Sequence, residues 1–547
     1  MSGMVSSRPK APAHRRSPYH LMAAAAAAAA AIFAGLAACS APTTTPSSSS
    51  SSSSAAAAGS GNVTVGLAGA PDALDPTTGS TFDGRTVFAN MCQKLYDINA
   101  QLNIVPQLAT SLPVISDGGK TYTIQLRQGV LFNDGTPFNA AAVKATLDHY
   151  LTDPESARDT ELHGLQSVDV TGPYTVVLHL SQAFAPLTSI LADRAGMILS
   201  PTQLNKLGNN FAQDPVCVGP FEFSSRPSLD TIILKKSPYY YGKAHVHLAT
   251  VTFEVITDES TMAADLASGQ IQIGEEIAPQ DVQSLKNNSS VTLEPQNSLG
   301  YEGLDINTGN VNGSLKPYGT ANNPFATHPT LREAFELSLN RAELNKVAFD
   351  GLYQASCSPI PSNSPWAVNV PCTTQNIAEA KKLIAATGLK TPIHVSLTVA
   401  NDPLDLQIGS IIQSMAAQAG FDVSLQPLEF TTSLAKAAAG DFEMYVVGWS
   451  GRIDPDQNIF NDWYPQSALN YTGADYSALD NLLLEARAST STTQRRGLYT
   501  QAVQMMQQEL NIIYLWDPKY YLGVSKTVTG VQYFPDALIR LEYASVS

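Results

Sequence analysis

A repeated alternation of helix and strand patterns after residue 330 constrains the fold of this 547-residue chain more than any other feature. Apolar residues recur at helical spacing over residues 331–339 and 377–384, and they alternate, as in a strand, over residues 393–399. A helix over residues 404–419 and a strand from residue 423 follow. Because helices that alternate with strands cover the faces of a sheet, this half is predicted to be an α/β lobe.

The length of the chain predicts more than one domain, because a single hydrophobic core stops growing at about 250–300 residues. The first half shows similar elements with more strand character. Alternating strands are predicted over residues 63–67, 121–127 and 176–180, with a helix through residues 143–147. Residues 77–85 are predicted to form a turn-rich loop. We therefore expect two or three domains built from mixed elements.

One buried strand is predicted to present a large aromatic side chain at its end. Residues 442–446 contain a single polar side chain, and Gly448, Trp449, Ser450 and Gly451 follow. We interpret these four residues as a turn at which strand character stops. Because the carboxyl ends of strands in α/β sheets open into ligand-binding crevices, Trp449 is a candidate ligand contact. The alternative is that its indole only fills a core.

The N-terminus has the pattern of a secretory signal. Four lysines and arginines and no acids precede an alanine-rich apolar run that ends in Leu-Ala-Ala-Cys at Cys39. This ending resembles a bacterial lipobox, which implies cleavage before Cys39 and a diacylglyceryl thioether on its sulfur. Residues 1–39 are therefore predicted to be a lipoprotein signal peptide. An uncleaved membrane helix is the alternative, disfavoured because alanine-rich runs span membranes poorly.

Residues 40–61 consist almost wholly of Ser, Ala, Thr and Gly. Such a segment has too little apolar surface to order itself, so it is predicted to be a disordered tether. Loss of residues 1–39 would remove four basic side chains and change the net charge from −15 to −19. This acidic balance argues against nucleic acid and anionic lipid as partners.

The four other cysteines form an even set, which indicates disulfides in an oxidising compartment. Cys357 and Cys372 bracket a proline-rich loop and are the first choice for a local pair, which leaves Cys92 and Cys217. No Cys-x-x-Cys motif or Cys/His cluster is present in the sequence. We therefore expect no metal site and no cofactor.

The chain resembles a known family over residues 62–540. Residues 106–150, which read PQLATSLPVISDGGKTYTIQLRQGVLFNDGTPFNAAAVKATLDHY, are similar to the signature region of the family 5 extracellular solute-binding proteins of bacterial ABC importers. This family includes oligopeptide-, dipeptide- and nickel-binding proteins. Further similar segments are PVCVGPF from Pro215, SPYYYG from Ser237 and TLREAF from Thr330. Ala142, where the family often has an acid, and Cys217, in place of a glycine, are departures.

The resemblance implies an α/β fold of the periplasmic-binding-protein-like type II, with two lobes, a hinge and an inserted mostly-β subdomain. The predicted boundaries are residues 62–104, 216–306 and 522–547 for lobe I, 105–215 for the inserted subdomain and 307–521 for lobe II. The two crossings between the lobes are expected near residues 305–307 and 520–521. What the resemblance implies is fold and broad role, because one fold serves many ligands.

The resemblance also implies that a ligand binds between the lobes and that the hinge closes around it. The expected contacts are Thr77, Ser80, Phe82, Tyr301, Asn307, Gly448, Trp449, Ser450, Gly451, Arg452 and Asp454. Trp449 would form a wall of the pocket, and the amides after it would bond polar ligand groups. Trp366 and Trp516 are further wall candidates, with core packing as the alternative.

Arg452 departs from the family's peptide binders, in which an aspartate at this position commonly pairs with the α-amine of the peptide. A guanidinium repels an ammonium group but holds a carboxylate or phosphate with two hydrogen bonds. We therefore expect either a peptide bound in another arrangement or an anionic or polyol-like solute anchored by Arg452. The alternative is a structural ion pair between Arg452 and Asp454 or Asp456.

The sequence carries no G-x-S-x-G, H-E-x-x-H, P-loop or G-x-G-x-x-G motif in the required context, so an enzyme is not predicted. We predict a lipid-anchored, monomeric substrate-binding protein on the extracytoplasmic face of a bacterial cell membrane. It would capture peptides or a related small solute and deliver them to the permease and ATPase subunits of an ABC importer. The alternatives are a binder of a nickel chelate, haem, anionic or sugar-derived compound, and a secreted enzyme or receptor that reuses the fold.

Overall fold

The computed structural model describes residues 61–162 and 164–547, in which two large sheets, a four-stranded sheet and three two-stranded ribbons occur. The predicted signal peptide, Cys39 and all of the predicted tether except Gly61 lie outside the described residues. Within these ranges, no helix combines the length and the apolar character needed to cross a membrane.

The first large sheet has seven strands and belongs to lobe I. Their order is Val291–Asn297, Lys519–Ser525, Ile273–Gly274, Asn62–Leu67, Thr250–Val255, Thr231–Lys236 and Phe221–Ser228. Asn62–Leu67 pairs in parallel with both of its neighbours, whereas the other pairs are antiparallel. The helices beside this sheet are Phe82–Met91, Glu259–Ser268 and Pro279–Lys286. The predicted first strand is thus the centre of the lobe I sheet.

The second large sheet has six strands and belongs to lobe II. Their order is Gln354–Ala355, Ile512–Asp517, Tyr301–Ile306, Met444–Trp449, Ile393–Ala400 and Phe421–Leu428. The helices that pack on it or on one another are Thr330–Ser338, Arg341–Phe349, Ile377–Ala386, Pro403–Ala419 and Phe430–Ala439. The helix and strand patterns predicted for this half are confirmed. The patterns are visible in the sequence because the apolar face of each predicted element is buried in one shared core.

A four-stranded antiparallel sheet forms the inserted subdomain. Its strands occur in the order Val114–Ser116, Thr121–Gln125, Thr175–Leu180 and Leu165–Gly172. The helix Ala140–Thr152 packs on this sheet, and Asn139 caps it by accepting a hydrogen bond from the Ala142 amide. The apolar side chains of the subdomain belong to the same cluster as those of the first large sheet. Lobe I and its inserted subdomain therefore share one core.

Three helices of lobe II, Asp456–Trp463, Ser477–Ala488 and Thr492–Glu509, contribute to a further apolar cluster. The short strands of the three ribbons are Tyr96–Ile98 with Ile104–Pro106, Val528–Thr529 with Ser545–Val546, and Gln532–Tyr533 with Ile539–Arg540. The remaining short helices are Leu187–Ile190, Pro201–Leu207 and Pro324–Thr327, and 3₁₀ turns occur at Asp117–Gly119, Arg194–Gly196 and Gly208–Gln213.

The crossings between the two large sheets differ from the predicted positions. The chain passes from the first sheet to the second through residues 298–300 and returns through Pro518. The predicted crossings at residues 305–307 and 520–521 lie too late in the chain. Tyr301–Ile306 is already a central strand of lobe II and pairs with a neighbouring strand on each edge. Because the strand contains an aspartate, its local sequence pattern does not indicate that it is buried.

Two local predictions also differ from the structure. Residues 77–85 are not all loop, because the helix Phe82–Met91 begins there with Thr81 as its N-cap. Strand character also continues through Trp449, which pairs with Tyr301. The indole is therefore carried by the end of a paired strand instead of a free turn.

Two disulfides occur in the described residues, and they join the cysteines that the sequence analysis paired. Cys92 and Cys217 are 125 residues apart in sequence, with their Cα atoms 4.9 Å apart. Cys357 and Cys372 are 15 residues apart, with their Cα atoms 5.4 Å apart. The second bond closes the proline-rich loop, whereas the first joins two parts of lobe I that are distant in sequence.

Candidate functional site

Side chains of lobe I contact the segment that follows Trp449 in lobe II. Arg85 Nη1 donates a hydrogen bond to Ser450 Oγ at 3.1 Å across 365 residues of sequence. Ser189 Oγ donates to Gln457 Oε1 at 2.8 Å across 268 residues. The two lobes therefore touch at a cleft formed by these segments.

The turn after Trp449 packs directly against the crossing at residues 298–300. Gly451 has a φ of +71°, and a Cβ at this position would lie 2.0 Å from the carbonyl carbon of Leu299. A Cβ on Gly300 would lie 1.7 Å from the carbonyl oxygen of Trp449. Because only glycine permits such a close approach of two backbones, the hinge crossing fixes the position of the turn.

Arg452 lies in the cleft with 5% of its surface exposed. Its Nε donates to Asp193 Oδ2 of lobe I, and its guanidinium carbon lies 4.5 Å from the centroid of the Trp449 ring. Nη1 donates to the carbonyl oxygen of Gly451 at 2.7 Å, whereas the buried Nη2 has no hydrogen-bond partner in the described part of the chain. Burial and the nearby Arg85 lower the pKa of Arg452 to about 10. Arg452 thus remains charged at neutral pH and keeps one donor open.

Asp193 links the lobes because it accepts hydrogen bonds from two arginines. Arg85 Nε donates to Oδ1 at 3.3 Å, and Arg452 donates to Oδ2. Burial alone would raise the pKa of Asp193, but Arg452 and Arg85 outweigh burial and hold this pKa well below its ordinary value. Asp193 is therefore an ionised bridge between lobe I and lobe II.

The alternative of an ion pair between Arg452 and Asp454 or Asp456 is wrong. Arg495 donates two hydrogen bonds to Asp454, at 2.7 and 2.9 Å. Arg487 donates two hydrogen bonds to Asp456, at 2.8 and 3.0 Å. Both oxygens of Asp454 are thus occupied, so this predicted ligand contact serves instead to position the turn that carries Arg452.

Two further buried arginines lie behind the loop that precedes the helix Phe82–Met91. Arg194 Nη1 and Arg158 Nη2 donate to the Gly79 carbonyl at 2.9 and 3.3 Å, and Arg158 pairs with Glu161 at 2.6 Å. Arg194 Nε and Nη2 have no hydrogen-bond partner among the described atoms, and burial lowers the pKa of Arg194. With the two arginines on Asp193, four guanidiniums and two carboxylates leave this region positively charged.

A small cavity of about 20 Å³ opens beside Arg85 and Arg452. Both lobes contribute to its lining, which includes Arg85, Ser189 and Asp193 from lobe I and its subdomain, Leu299 from the crossing, and Arg452 and Gln457 from lobe II. The cavity therefore offers charged donors and an apolar wall at the meeting point of the lobes.

The structure brings together five of the predicted contacts: Gly448, Trp449, Ser450, Gly451 and Arg452. Phe82 stands on lobe I, where its ring stacks on Tyr520 with the centroids 5.3 Å apart. The indole Nε1 of Trp449 is buried and has no hydrogen-bond partner among the described residues. Trp449 thus combines an aromatic face with an open donor.

The other predicted contacts take part in local structure. Asn307 Nδ2 donates to three backbone carbonyls of lobe II. Tyr301 is 3% exposed and packs edge-on against Tyr514 with the ring centroids 4.8 Å apart. Thr77 is fully buried, and the amide of Ser80 bonds to a nearby aspartate within its own loop. These four residues hold the loops around the cleft.

Of the two other tryptophans considered as pocket walls, Trp516 belongs to the core of lobe II, where its ring lies 4.8 Å from that of Phe349. Trp366 is half-buried and packs edge-on against Tyr499. Core packing is therefore the role that the structure assigns to Trp516, whereas Trp366 covers the helices of lobe II.

Three carboxyl groups of the two lobes have raised pKa values. Burial and neighbouring acids raise the pKa of Glu276, Glu302 and Asp405, to about 8 for Glu276. The Glu302 carboxylate lies over Gly448, where a Cβ would meet it at 2.2 Å. No three His, Cys, Asp or Glu side chains within residues 61–162 and 164–547 are arranged to hold a metal ion.

Sequence reasoning missed Arg85, Asp193 and Glu302. A capping signal, Thr81 followed by an acid in the first helical turn, could have placed Arg85 on a helix. No comparable signal exists for Asp193, whose partner Arg452 is 259 residues away. Side chains that meet only across lobes leave no mark on the local pattern.

Comparison with known proteins identifies the family of the chain. Residues 103–471 match the family described as bacterial extracellular solute-binding proteins, family 5 Middle. The glutathione-binding protein GsiB of Escherichia coli strain K12 is 26% identical over 503 residues, which cover 89% of this chain and 94% of that protein.

Solved structures share the fold. AgaA from A. tumefaciens R10, in complex with agropinic acid, has a TM-score of 0.78 and 25% identity over 89% of this chain and 99% of its own. The periplasmic binding protein DppA from Helicobacter pylori, in complex with the peptide STSA, has a TM-score of 0.81 and 22% identity over 89% of this chain and 98% of its own. Because the family match covers more than half of the sequence, the chain belongs to the family 5 extracellular solute-binding proteins of ABC importers, which bind solutes and are not enzymes.

Proposed function

We propose that this protein captures a small solute with at least one carboxylate, such as a short peptide or a related acid, between its lobes. Closure would be a rotation of one lobe against the other about residues 298–300 and Pro518, the two short crossings. The loaded protein would then deliver the solute to the permease and ATPase subunits of an ABC importer. The solute supplies the binding energy that favours the closed state, and no covalent step is needed.

The open Nη2 of Arg452 is the observation that carries this proposal. A buried donor without a partner costs about 1–3 kcal/mol, and an anionic oxygen of the solute would remove that cost. Arg452 is held between the Trp449 ring and Asp193, so its guanidinium has a fixed orientation. A carboxylate that binds there would gain a charge-assisted hydrogen bond in a defined direction.

The charge of this part of the cleft favours the same class of solute. Among the described residues, these four guanidiniums form salt bridges only with Asp193 and Glu161, and Asp536, which also lines the cavity, is paired with Arg540. Buried charges are stable only when they are neutralised. A solute with one or two carboxylates would reduce this excess. A solute whose sole charge is positive would increase it.

Two relatives support an acidic solute. GsiB is named for the binding of glutathione, which carries two carboxylates, and AgaA was solved with agropinic acid. The two ligands have different scaffolds and share an acid group. We therefore propose a class of solute, and a non-peptide acid remains the second candidate because of AgaA.

We also propose a lipid anchor on Cys39, supported by the signal pattern of residues 1–39. Residues 40–61 would link the anchor to a monomeric folded body on the extracytoplasmic face of the cell membrane. A Cys39→Ser protein should lose fatty-acid labelling and leave the membrane fraction of a bacterial host. Labelling equal to that of the wild type would contradict the anchor.

Mass spectrometry of solutes released from the purified, denatured protein tests the proposed capture of an acid. We expect a carboxylate-bearing molecule, which calorimetry would then compare between wild type and Arg452→Ala. Loss of one charge-assisted hydrogen bond should weaken binding about 10- to 100-fold. Lys436→Ala, which changes an exposed lysine, is the matched control and should bind like the wild type. A neutral solute, or equal affinity in Arg452→Ala, would refute the proposal.

A further inference from the structure

Two buried arginines of the inserted subdomain converge on one backbone oxygen of lobe I. Arg194 Nη1 and Arg158 Nη2 donate to the Gly79 carbonyl oxygen at 2.9 and 3.3 Å. The Thr77 carbonyl oxygen accepts a hydrogen bond from the Ala157 amide at 3.0 Å, so the loop that contains Gly79 lies against the segment that carries Arg158. The two guanidiniums therefore adjoin each other behind this loop.

Only one of these two positive charges is balanced by the protein. Arg158 Nη1 forms a salt bridge with Glu161 Oε1 at 2.6 Å. Arg194 is fully buried and takes part in no salt bridge with a described residue. Because Glu161 carries a single negative charge, it neutralises one arginine whichever of the two it faces. One buried positive charge is left over.

The same arginines also keep open hydrogen-bond donors. Arg194 Nε and Nη2 and Arg158 Nε are buried and have no hydrogen-bond partner among the described residues. Buried polar groups in native proteins are almost always satisfied by protein, water or an ion. Water would satisfy these donors but would leave the charge of Arg194 uncompensated, and an uncompensated buried charge is strongly destabilising. An anion would supply both the acceptor and the missing negative charge.

We propose that a small inorganic anion of the chloride class binds between Arg194 and Arg158, behind the loop that contains Gly79. A monatomic anion needs the least room at a site where both guanidiniums are buried, and it accepts charge-assisted hydrogen bonds from several donors at once. The anion would neutralise Arg194 as Glu161 neutralises Arg158. This site is separate from the solute cleft and holds an ion that stays with the protein.

The position of the anion links it to the lobe I side of the cleft. The loop that contains Gly79 ends at Thr81, the N-cap of the next helix, and this helix carries Arg85 in its first turn. Arg85 donates to Asp193 at 3.3 Å and to Ser450 at 3.1 Å. An anion that fastens the loop to the inserted subdomain would therefore also hold Arg85 in place.

A crystal grown in sodium bromide tests the site directly, because bromide substitutes for chloride and scatters X-rays anomalously. The protein is first freed of bound solute by denaturation and refolding without reducing agent. We expect an anomalous peak within hydrogen-bonding distance of the Arg194 guanidinium. A water molecule at this place, or a Glu161 carboxylate that has moved onto Arg194 with no anion beside it, would overturn the proposal.

Thermal unfolding of the same solute-free protein measures whether the anion stabilises the fold. Sodium chloride is varied while sodium methanesulfonate, whose anion is larger, keeps the ionic strength constant. An ion that binds only the folded state stabilises it by mass action, so Tm should rise by about 3 °C or more when chloride is raised about 100-fold. A constant Tm would overturn the proposal, and a bromide peak without a rise in Tm would show an adventitious ion only.

One variant and a matched control assign the effect to Arg194. Arg194→Met removes the buried charge, so it should abolish the rise in Tm and should not lower Tm at low chloride. Arg496 also donates to one backbone carbonyl, that of Pro365 at 2.6 Å, but it is exposed, so Arg496→Met should keep the full rise. A rise that persists in Arg194→Met would overturn the proposal. If this variant did not fold, the bromide crystal and the wild-type chloride series would decide, and neither involves the solute.

Discussion

Replacement of Asp454 by asparagine would measure how strongly buried ion pairs hold the turn that carries Arg452. The side chains of Asp454 and Arg495 are 9% and 6% exposed, and two hydrogen bonds of 2.7 and 2.9 Å join them. Asp454→Asn removes the negative charge and leaves the guanidinium buried without a counter-ion. Because such a charge is not compensated by water, the free energy of unfolding should fall by about 3–5 kcal/mol.

The chain contains a matched control for this experiment. Asp441 pairs with Lys436 at 2.9 Å, close to the distance of the buried pair, but the two side chains are 70% and 45% exposed. Asp441→Asn should therefore change the free energy of unfolding by about 1 kcal/mol or less. The two variants differ mainly in the burial of the ion pair that they disrupt.

Urea denaturation followed by tryptophan fluorescence provides the assay, with the transition midpoint and the slope fitted separately. A further variant, Asp454→Asn with Arg495→Met, should recover part of the lost stability because it removes the unpaired charge. If Asp454→Asn lowered the stability no more than Asp441→Asn, burial would not determine the strength of this pair. The positioning role given to Asp454 would then be refuted.

Three other predictions follow from the same structure. Burial and neighbouring acids raise the pKa of Glu276 to about 8. This group therefore stabilises the fold below its ordinary pKa of 4.5 and loses that contribution as the pH rises through 8. The Tm measured from pH 5 to 9 should decline less in Glu276→Gln than in the wild type, and equal declines would contradict this prediction. Gly451→Ala places a Cβ 2.0 Å from the Leu299 carbonyl carbon. The free energy of unfolding, measured by urea denaturation, should therefore fall by about 2 kcal/mol, and solute binding should weaken. A urea midpoint equal to that of the wild type would be inconsistent with the close approach. Replacement of Cys357 and Cys372 by serine removes their disulfide and opens a loop of 15 residues. The free energy of unfolding, measured by urea denaturation, should fall by about 3 kcal/mol. An unchanged urea midpoint would show that other contacts hold the loop.

The elements of lobe II were predictable because each has one buried face. The helix Ile377–Ala386 and the strand Ile393–Ala400 bury residues at the spacing of 3.6 and 2 that their geometry requires. The strand Tyr301–Ile306 was harder to place. It is buried at the centre of a sheet and contains an aspartate, so its pattern does not distinguish it from a segment between lobes.

The candidate site was predictable only where one segment of chain forms it. Gly448 to Arg452 are consecutive, and the structure keeps them at the cleft. Asp454 was assigned to the ligand because its partner Arg495, 41 residues away, could not be recognised in the sequence. The burial of both side chains together is a result of tertiary packing.

The sequence by itself determined the α/β class, the helices and strands of lobe II and the family, because periodic burial and sequence motifs are local properties. The tertiary structure decided which charges meet. It placed Arg452 on Asp193 instead of a neighbouring aspartate, and it joined Arg85 of lobe I to Ser450 of lobe II. Electrostatic partners depend on distance in space and on the exclusion of water, and both are set only when the lobes have folded and come together.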